Sequence, residues 1–155
     1  MTGSGGPTSR PCLGRGEEIE LTLRGRHLTV VDHAYNANPG SMQAALEHLR
    51  DIKDAPRRIA VLGEMAELGP QAPLFHAELA AVVERCAVDR VYVMGKLYAD
   101  FWELLPVARR GRYTNSLDEL KGALDDELVD RDVVLLKGSN STGIHHIVAW
   151  MKACA

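Results

Sequence analysis

Two rhythms of apolar residues alternate along this chain. Short continuous runs, Ile59-Ala60-Val61-Leu62, Val91-Tyr92-Val93-Met94 and Val133-Val134-Leu135-Leu136, have the length and branching of strands buried on both faces. Between them lie segments with apolar residues at helical spacing. Met42, Ala45, Leu46 and Leu49 form one such stripe, and Phe75, Leu79, Val82, Val83 and Cys86 a second. Leu97 to Leu105 is helix-like and ends before Pro106, and Arg112 to Thr114 reads as a short strand. Leu117, Leu120, Leu124 and Leu128 follow Ser116, which with Glu119 has the pattern of a capping box. Ile144, Ile147, Val148 and Met151 line a last helix. Near the start, Glu20–Leu23 and Leu28–Val31 flank Gly25 as a hairpin pair, and Asn38-Pro39 has the cap and first-turn proline of a helix.

Buried strands alternating with amphipathic helices predict an α/β fold. The expected form is a Rossmann-like, doubly wound, mostly parallel sheet of about six strands, with helices on both faces and an N-terminal hairpin-like pair. Residues 1–12, rich in Gly, Ser, Thr and Pro, are expected to be a flexible leader, and residues 13–155 one domain. In such sheets ligands bind beyond the carboxyl ends of the strands, which directs attention to the loops Asp32–Asn38, Gly63–Gly69, Gly95–Lys96 and Lys137–Gly143.

Composition narrows the function. The formal net charge of −3 is scattered in sign, so no basic stripe for nucleic acid is present. Two arginine clusters, Arg57-Arg58 and Arg109-Arg110 with Arg112, are expected on solvated surface. No apolar run is long enough to span a membrane, and no secretory signal is evident. Cys12, Cys86 and Cys154 have no metal-ligand spacing and read as reduced thiols of a cytoplasmic protein. Neighbouring His145 and His146 would point about 100° apart on a helix, which argues against a shared metal ion.

Among the loops, Asp32-His33-Ala34-Tyr35-Asn36-Ala37-Asn38 places an acid, an imidazole, a phenol and two amides before a helix N-terminus. That suits an anionic or zwitterionic ligand, although Asn36 and Asn38 also make sense as turn and cap. In the second loop Glu64 and Glu67 are expected to face solvent, and His76 beyond it to be structural or solvated. Lys137-Gly138-Ser139-Asn140-Ser141-Thr142-Gly143 combines an ammonium with small donors that can hold a carboxylate or phosphate. Neither GxxxxGK[ST] nor GxGxxG occurs, so the chain carries no triphosphate cradle and no dinucleotide fingerprint.

Tyr35-Asn36-Ala37-Asn38-Pro39 with Ser41-Met42, then Ile59–Met65 with Glu67-Leu68-Gly69, His76, and Lys137-Gly138-Ser139 resemble in order and spacing the C-terminal domain of the Mur ligases. The first of these segments resembles the branch that adds D-alanyl-D-alanine. The resemblance implies one domain of an ATP-dependent peptide ligase that joins D-alanyl-D-alanine to UDP-MurNAc-tripeptide in peptidoglycan synthesis. It implies that ATP and magnesium serve the full ligase and that a central ATPase domain is the partner. This chain alone is then inactive and binds no cofactor. By the same resemblance Arg15 and Asp32 approach the nucleotide, and Tyr35, Asn36, Asn38, Lys137 and Ser139 the incoming substrate, with no catalytic or metal-binding residue assigned. His33 stands where an acid is frequent, Asn140 where arginine is, and Ile144 where methionine is. A stand-alone module binding a small peptide or nucleotide is the alternative.

Overall fold

The computed structural model describes residues 17–33, 37–139 and 142–154. The strands are β1 (Glu17–Leu23), β2 (Arg26–His33), β3 (Arg58–Gly63), β4 (Arg90–Met94), β5 (Arg110–Thr114) and β6 (Val133–Lys137). The helices are α1 (Pro39–Asp51), α2 (Ala72–Arg85), α3 (Ala99–Leu104), α4 (Leu117–Glu127) and α5 (His145–Ala153). Six strands form one sheet in the order β1-β2-β6-β3-β4-β5, parallel throughout except for the β1–β2 hairpin. The doubly wound sheet with its antiparallel pair is therefore as the sequence pattern predicts.

Strand alternation divides the core in two. Val31, Leu62, Val93 and Leu135 face α1, α2 and α3, whereas Val30, Val61, Tyr92 and Leu136 face α4 and α5. All four stripe residues of α1 are fully buried. Its start is also as expected: Asn38 Oδ1 accepts the Ser41 N–H, and Ser41 Oγ returns a bond to the Asn38 N–H, closing a capping box.

The α4 cap differs from the expectation. Ser116 Oγ accepts the Glu119 N–H at 3.2 Å, but the Glu119 carboxylate does not return to Ser116. It accepts instead from Thr114 Oγ1 at 2.8 Å, and that hydroxyl takes the Ser116 N–H. Thr114, at the end of β5, stands in for the second half of the box. Inside α4, Gly122 has nothing within 4 Å of where a Cβ would lie. Gly122→Ala should therefore stabilise the fold by roughly 0.5–1 kcal/mol, by restricting the unfolded chain and raising helix propensity. Urea denaturation checks this as a rise in midpoint at unchanged slope.

Four of the five clustered arginines are clamps rather than solvated surface, whereas Arg112 stays partly exposed beside Glu119 and Glu127. Arg58 donates to the carbonyls of Leu49, Arg50 and Ile52 at the end of α1, where a helix runs out of N–H partners for its last carbonyls. Arg57 grips buried Asp132 with two bonds, at 2.9 and 2.8 Å. Arg109 donates to the Val88 carbonyl, and Arg110 to that of Leu105 while lying over the Trp102 ring. Each guanidinium serves backbone carbonyls or a carboxylate left over at an element end, a role that the sequence pattern alone does not reveal. Among the described residues no helix is long and apolar enough to cross a membrane.

Candidate functional site

The connections position the site. Helices α1 and α2 leave the ends of β2 and β3 towards one face, while α5 leaves β6, which lies between them, towards the other. The chain therefore parts beyond the carboxyl end of β6, and a crevice at such a reversal is where open α/β sheets bind ligands. Parallel register brings His33 of β2 and Leu62 of β3 opposite Lys137, the last residue of β6.

Four of the expected site residues are described, and all four stand at this edge. Asp32, next to last in β2, and Lys137, the last residue of β6, lie on adjacent strands with 9% and 5% of their surfaces exposed. Burial draws the Lys137 ammonium below the ordinary lysine range. Ser139 is buried, and its N–H donates to the Glu64 carbonyl at 3.0 Å, tying the loop after β6 to the loop after β3. Asn38 caps α1, with its Oδ1 engaged by the Ser41 N–H. Arg15, Tyr35 and Asn36 lie outside the described residues.

The backbone at the crevice is packed to the limit. A Cβ on Gly63 would stand 2.6 Å from Ile144 Cγ1 and 2.8 Å from Thr142 Oγ1. One on Gly138 would stand 2.9 Å from the Gly63 Cα. The two glycines thus let the ends of β3 and β6 approach and let the loop after β6 fold back. Thr142 closes that loop by donating both its Oγ1–H and its N–H to the Ser139 carbonyl, at 2.7 and 3.0 Å.

The sequence reading missed the framework beneath. Glu64 does not face solvent. It is half-buried, and its Oε2 accepts the Leu97 N–H at 2.8 Å. Gly95, at φ 126°, makes room, since a Cβ there would lie 2.4 Å from that oxygen. Tyr98 donates its hydroxyl to the Gly63 carbonyl at 2.7 Å, and His76 stacks edge-on against Tyr98. His76 is structural and fully buried: Nδ1 lies 2.7 Å from the Ala72 carbonyl, and Nε2 accepts the Met65 N–H. The carbonyl must accept, so the proton is on Nδ1 and the ring is neutral. Burial lowers its pKa, against the opposing pull of the Ala72 carbonyl and Glu64. These partners sit far apart in sequence, and only the helical histidine hinted at them.

His33 is pushed down to about 4 by burial first, then by Lys137 and His48. Both histidines are thus held below the unfolded value of roughly 6.5. The folded state then binds fewer protons than the unfolded one wherever pH lies between the two values. The His33 contribution is complete above about pH 6.5 and is lost as pH falls from there towards 4, and that of His76 is likewise lost as pH falls below about 6.5. Urea denaturation at pH 7.5, 6.0 and 5.0 should show this decline, with a shallower one in His76→Gln.

His145 and His146 do not diverge as expected, for their ring centroids lie 4.1 Å apart. Still, among the described residues no group of three or more His, Cys, Asp or Glu is arranged to hold a metal ion.

The family model described as "Mur ligase, glutamate ligase domain" matches residues 14–140. The chain belongs to the Mur ligase family. It is 33% identical over 137 residues to the UDP-N-acetylmuramoyl-tripeptide–D-alanyl-D-alanine ligase of Bacillus subtilis, covering 86% of this chain and 30% of that protein. To the ligase of the same name in Mycobacterium tuberculosis H37Rv it is 35% identical over 158 residues, covering 88% and 31%. Among solved structures, the MurF ligase of Thermotoga maritima in complex with ADP superposes with a TM-score of 0.75 at 25% identity, covering 95% of this chain and 32% of that one. This Mur ligase chain thus spans about a third of the length of the relatives it matches. The resemblance seen in the Tyr35–Met42 segment is to the same branch that these relatives represent.

Proposed function

We propose that this chain is the C-terminal, substrate-binding domain of an ATP-dependent Mur ligase of the cytoplasm, which adds D-alanyl-D-alanine to UDP-MurNAc-tripeptide. The observation that carries the reading is the buried Lys137 at the carboxyl end of β6, where the connections to α1, α2 and α5 part, in a chain whose relatives bear that ligase name. Lys137 supplies a buried ammonium, where charge is little screened, for the carboxylate of the dipeptide. Ser139, Asn38, Tyr35 and Asn36 are assigned to the same substrate, and Asp32 and Arg15 to the nucleotide. The residues of this chain do not fit ATP and magnesium by themselves. The Walker pattern GxxxxGK[ST], which cradles a triphosphate, does not occur in the sequence. ATP and magnesium, and the activation of the tripeptide carboxylate, belong to a partner ATPase domain. This domain binds the acceptor and orients its amine.

The test joins this chain to the remaining two thirds of the Bacillus subtilis ligase, and follows UDP-MurNAc-pentapeptide by chromatography. Product should form with D-alanyl-D-alanine, and Lys137→Met should reduce it by at least about tenfold, the loss expected for a charge-assisted contact. A folded hybrid that binds ATP but adds no dipeptide would contradict the proposal. The chain by itself should release no ADP from ATP.

A further inference from the structure

One cluster at the carboxyl edge plays no part in the reading above. His33 Nε2 lies 3.1 Å from His48 Nδ1, and His48 Nε2 lies 3.0 Å from Glu18 Oε2. The chain of contacts crosses three elements, from β1 through α1 to β2. Its direction follows from elementary chemistry. A carboxylate only accepts, so a neutral His48 carries its proton on Nε2 and leaves Nδ1 as a lone pair. That lone pair must be met by a proton, so His33 carries its own on Nε2. Nδ1 of His33 is then the lone pair, and among the described residues the His33 side chain makes no hydrogen bond other than the one to His48. His33 is only partly buried, so a ligand can reach it, and Lys137 is its register partner on the next strand.

We propose that Glu18 and His48 are positioning residues that fix His33 in one tautomer, so that the edge presents an imidazole acceptor beside the Lys137 ammonium for a hydrogen-bond donor of the bound ligand. The logic is that of an acid orienting a histidine that orients the next group, here extended by one imidazole. An acceptor next to an ammonium suits a ligand with a donor and an anion close together. The donor has two possible sources in the ligands named above, the ammonium of a dipeptide or a ribose hydroxyl of a nucleotide. The ligand half of this inference rests on the proposed function. The tautomer half does not.

The experiment uses the full chain labelled with nitrogen-15 at pH 7.5, where long-range proton–nitrogen spectra report the tautomer of each ring. His33 should show one form, protonated at Nε2. His48→Leu, at a partly exposed position, should turn it into a mixture of tautomers, and Glu18→Gln should do so more weakly. Titrations with D-alanyl-D-alanine and with ADP then identify the donor. The ligand that supplies it should shift His33 Nδ1, and its affinity should fall about three- to tenfold in His48→Leu, as for loss of one neutral hydrogen bond. Lys137→Met should weaken binding and leave the tautomer unchanged. Mixed tautomers in the unsubstituted chain, or a single one indifferent to His48→Leu, would overturn the relay. A fixed tautomer whose Nδ1 responds to neither ligand would overturn the ligand contact, whereas loss of all binding at the edge would count against the proposed function instead.

Discussion

Gly63→Val should destabilise the fold by about 3 kcal/mol, and Gly138→Ala by about 2 kcal/mol, the range for forcing extra atoms into a packed site. The cause is contact rather than backbone conformation. At Gly63 the first added carbon already meets Ile144 Cγ1 and Thr142 Oγ1, both close to the backbone of the loop before α5 and of its first turn. At Gly138 it meets the Gly63 Cα itself, which no rotamer change can move. Relief requires β3 and β6 to separate, or the loop holding Ser139 and Thr142 to lift. The Ser139 N–H would then leave the Glu64 carbonyl. The loss of stability should therefore come with loss of the crevice, read as a lower urea midpoint together with amide shifts concentrated at residues 63–65 and 137–144. A Gly138→Ala protein with unchanged midpoint would show that the strand ends are not close-packed.

Asp132→Ala should cost a comparable amount, about 3 kcal/mol, and leave the carboxyl edge untouched. Asp132 is 1% exposed, immediately before β6, at the opposite end of the sheet. Its carboxylate holds Arg57 by two bonds and accepts the Val129 N–H at 2.8 Å. Truncation strands that N–H and removes the partner of a cation. Breaking a buried pair from one side costs about 3–5 kcal/mol, but the Arg57 side chain is 30% exposed and regains water, which places the effect at the lower end. Asp132→Asn keeps an acceptor for Val129 and should fall between the two. Ligand-induced shifts at Lys137 and Ser139 should match those of the unsubstituted chain, which separates a stability defect from a site defect.

The contrast between these positions reflects what local pattern reveals. Strands whose residues are buried on both faces announce themselves, as Val133–Leu136 does, because burial alone selects continuous apolar runs. The start of α1 was legible in Asn38-Pro39 because cap and first turn are neighbours in sequence. From the order of strands and helices it followed that the loops after β2 and β6 would lie at one edge of the sheet. What stayed hidden depends on partners distant along the chain. Glu64 looks like a surface acid until the Leu97 N–H, from the loop after β4, takes its carboxylate. Arg58 looks solvated until α1 ends with its carbonyls against it. The Ser116–Glu119 spacing promised a reciprocal box, yet Thr114 competed for the Glu119 carboxylate and won because β5 delivers it there. His33, His48 and Glu18 belong to three different elements, and no spacing in the sequence foretells their alignment.

The claim that the crevice beyond β6 receives the dipeptide is tested most directly by amide shifts of the isotope-labelled chain on titration with D-alanyl-D-alanine in the presence of ADP. The account predicts shifts clustered at Asp32, Asn38–Ser41 and Lys137–Thr142, much reduced in Lys137→Met and retained in Asp132→Asn. Shifts confined to the amino-terminal ends of the strands, around Lys53, Asp54 and Arg131, or a carboxyl edge indifferent to the dipeptide at millimolar concentration, would contradict it.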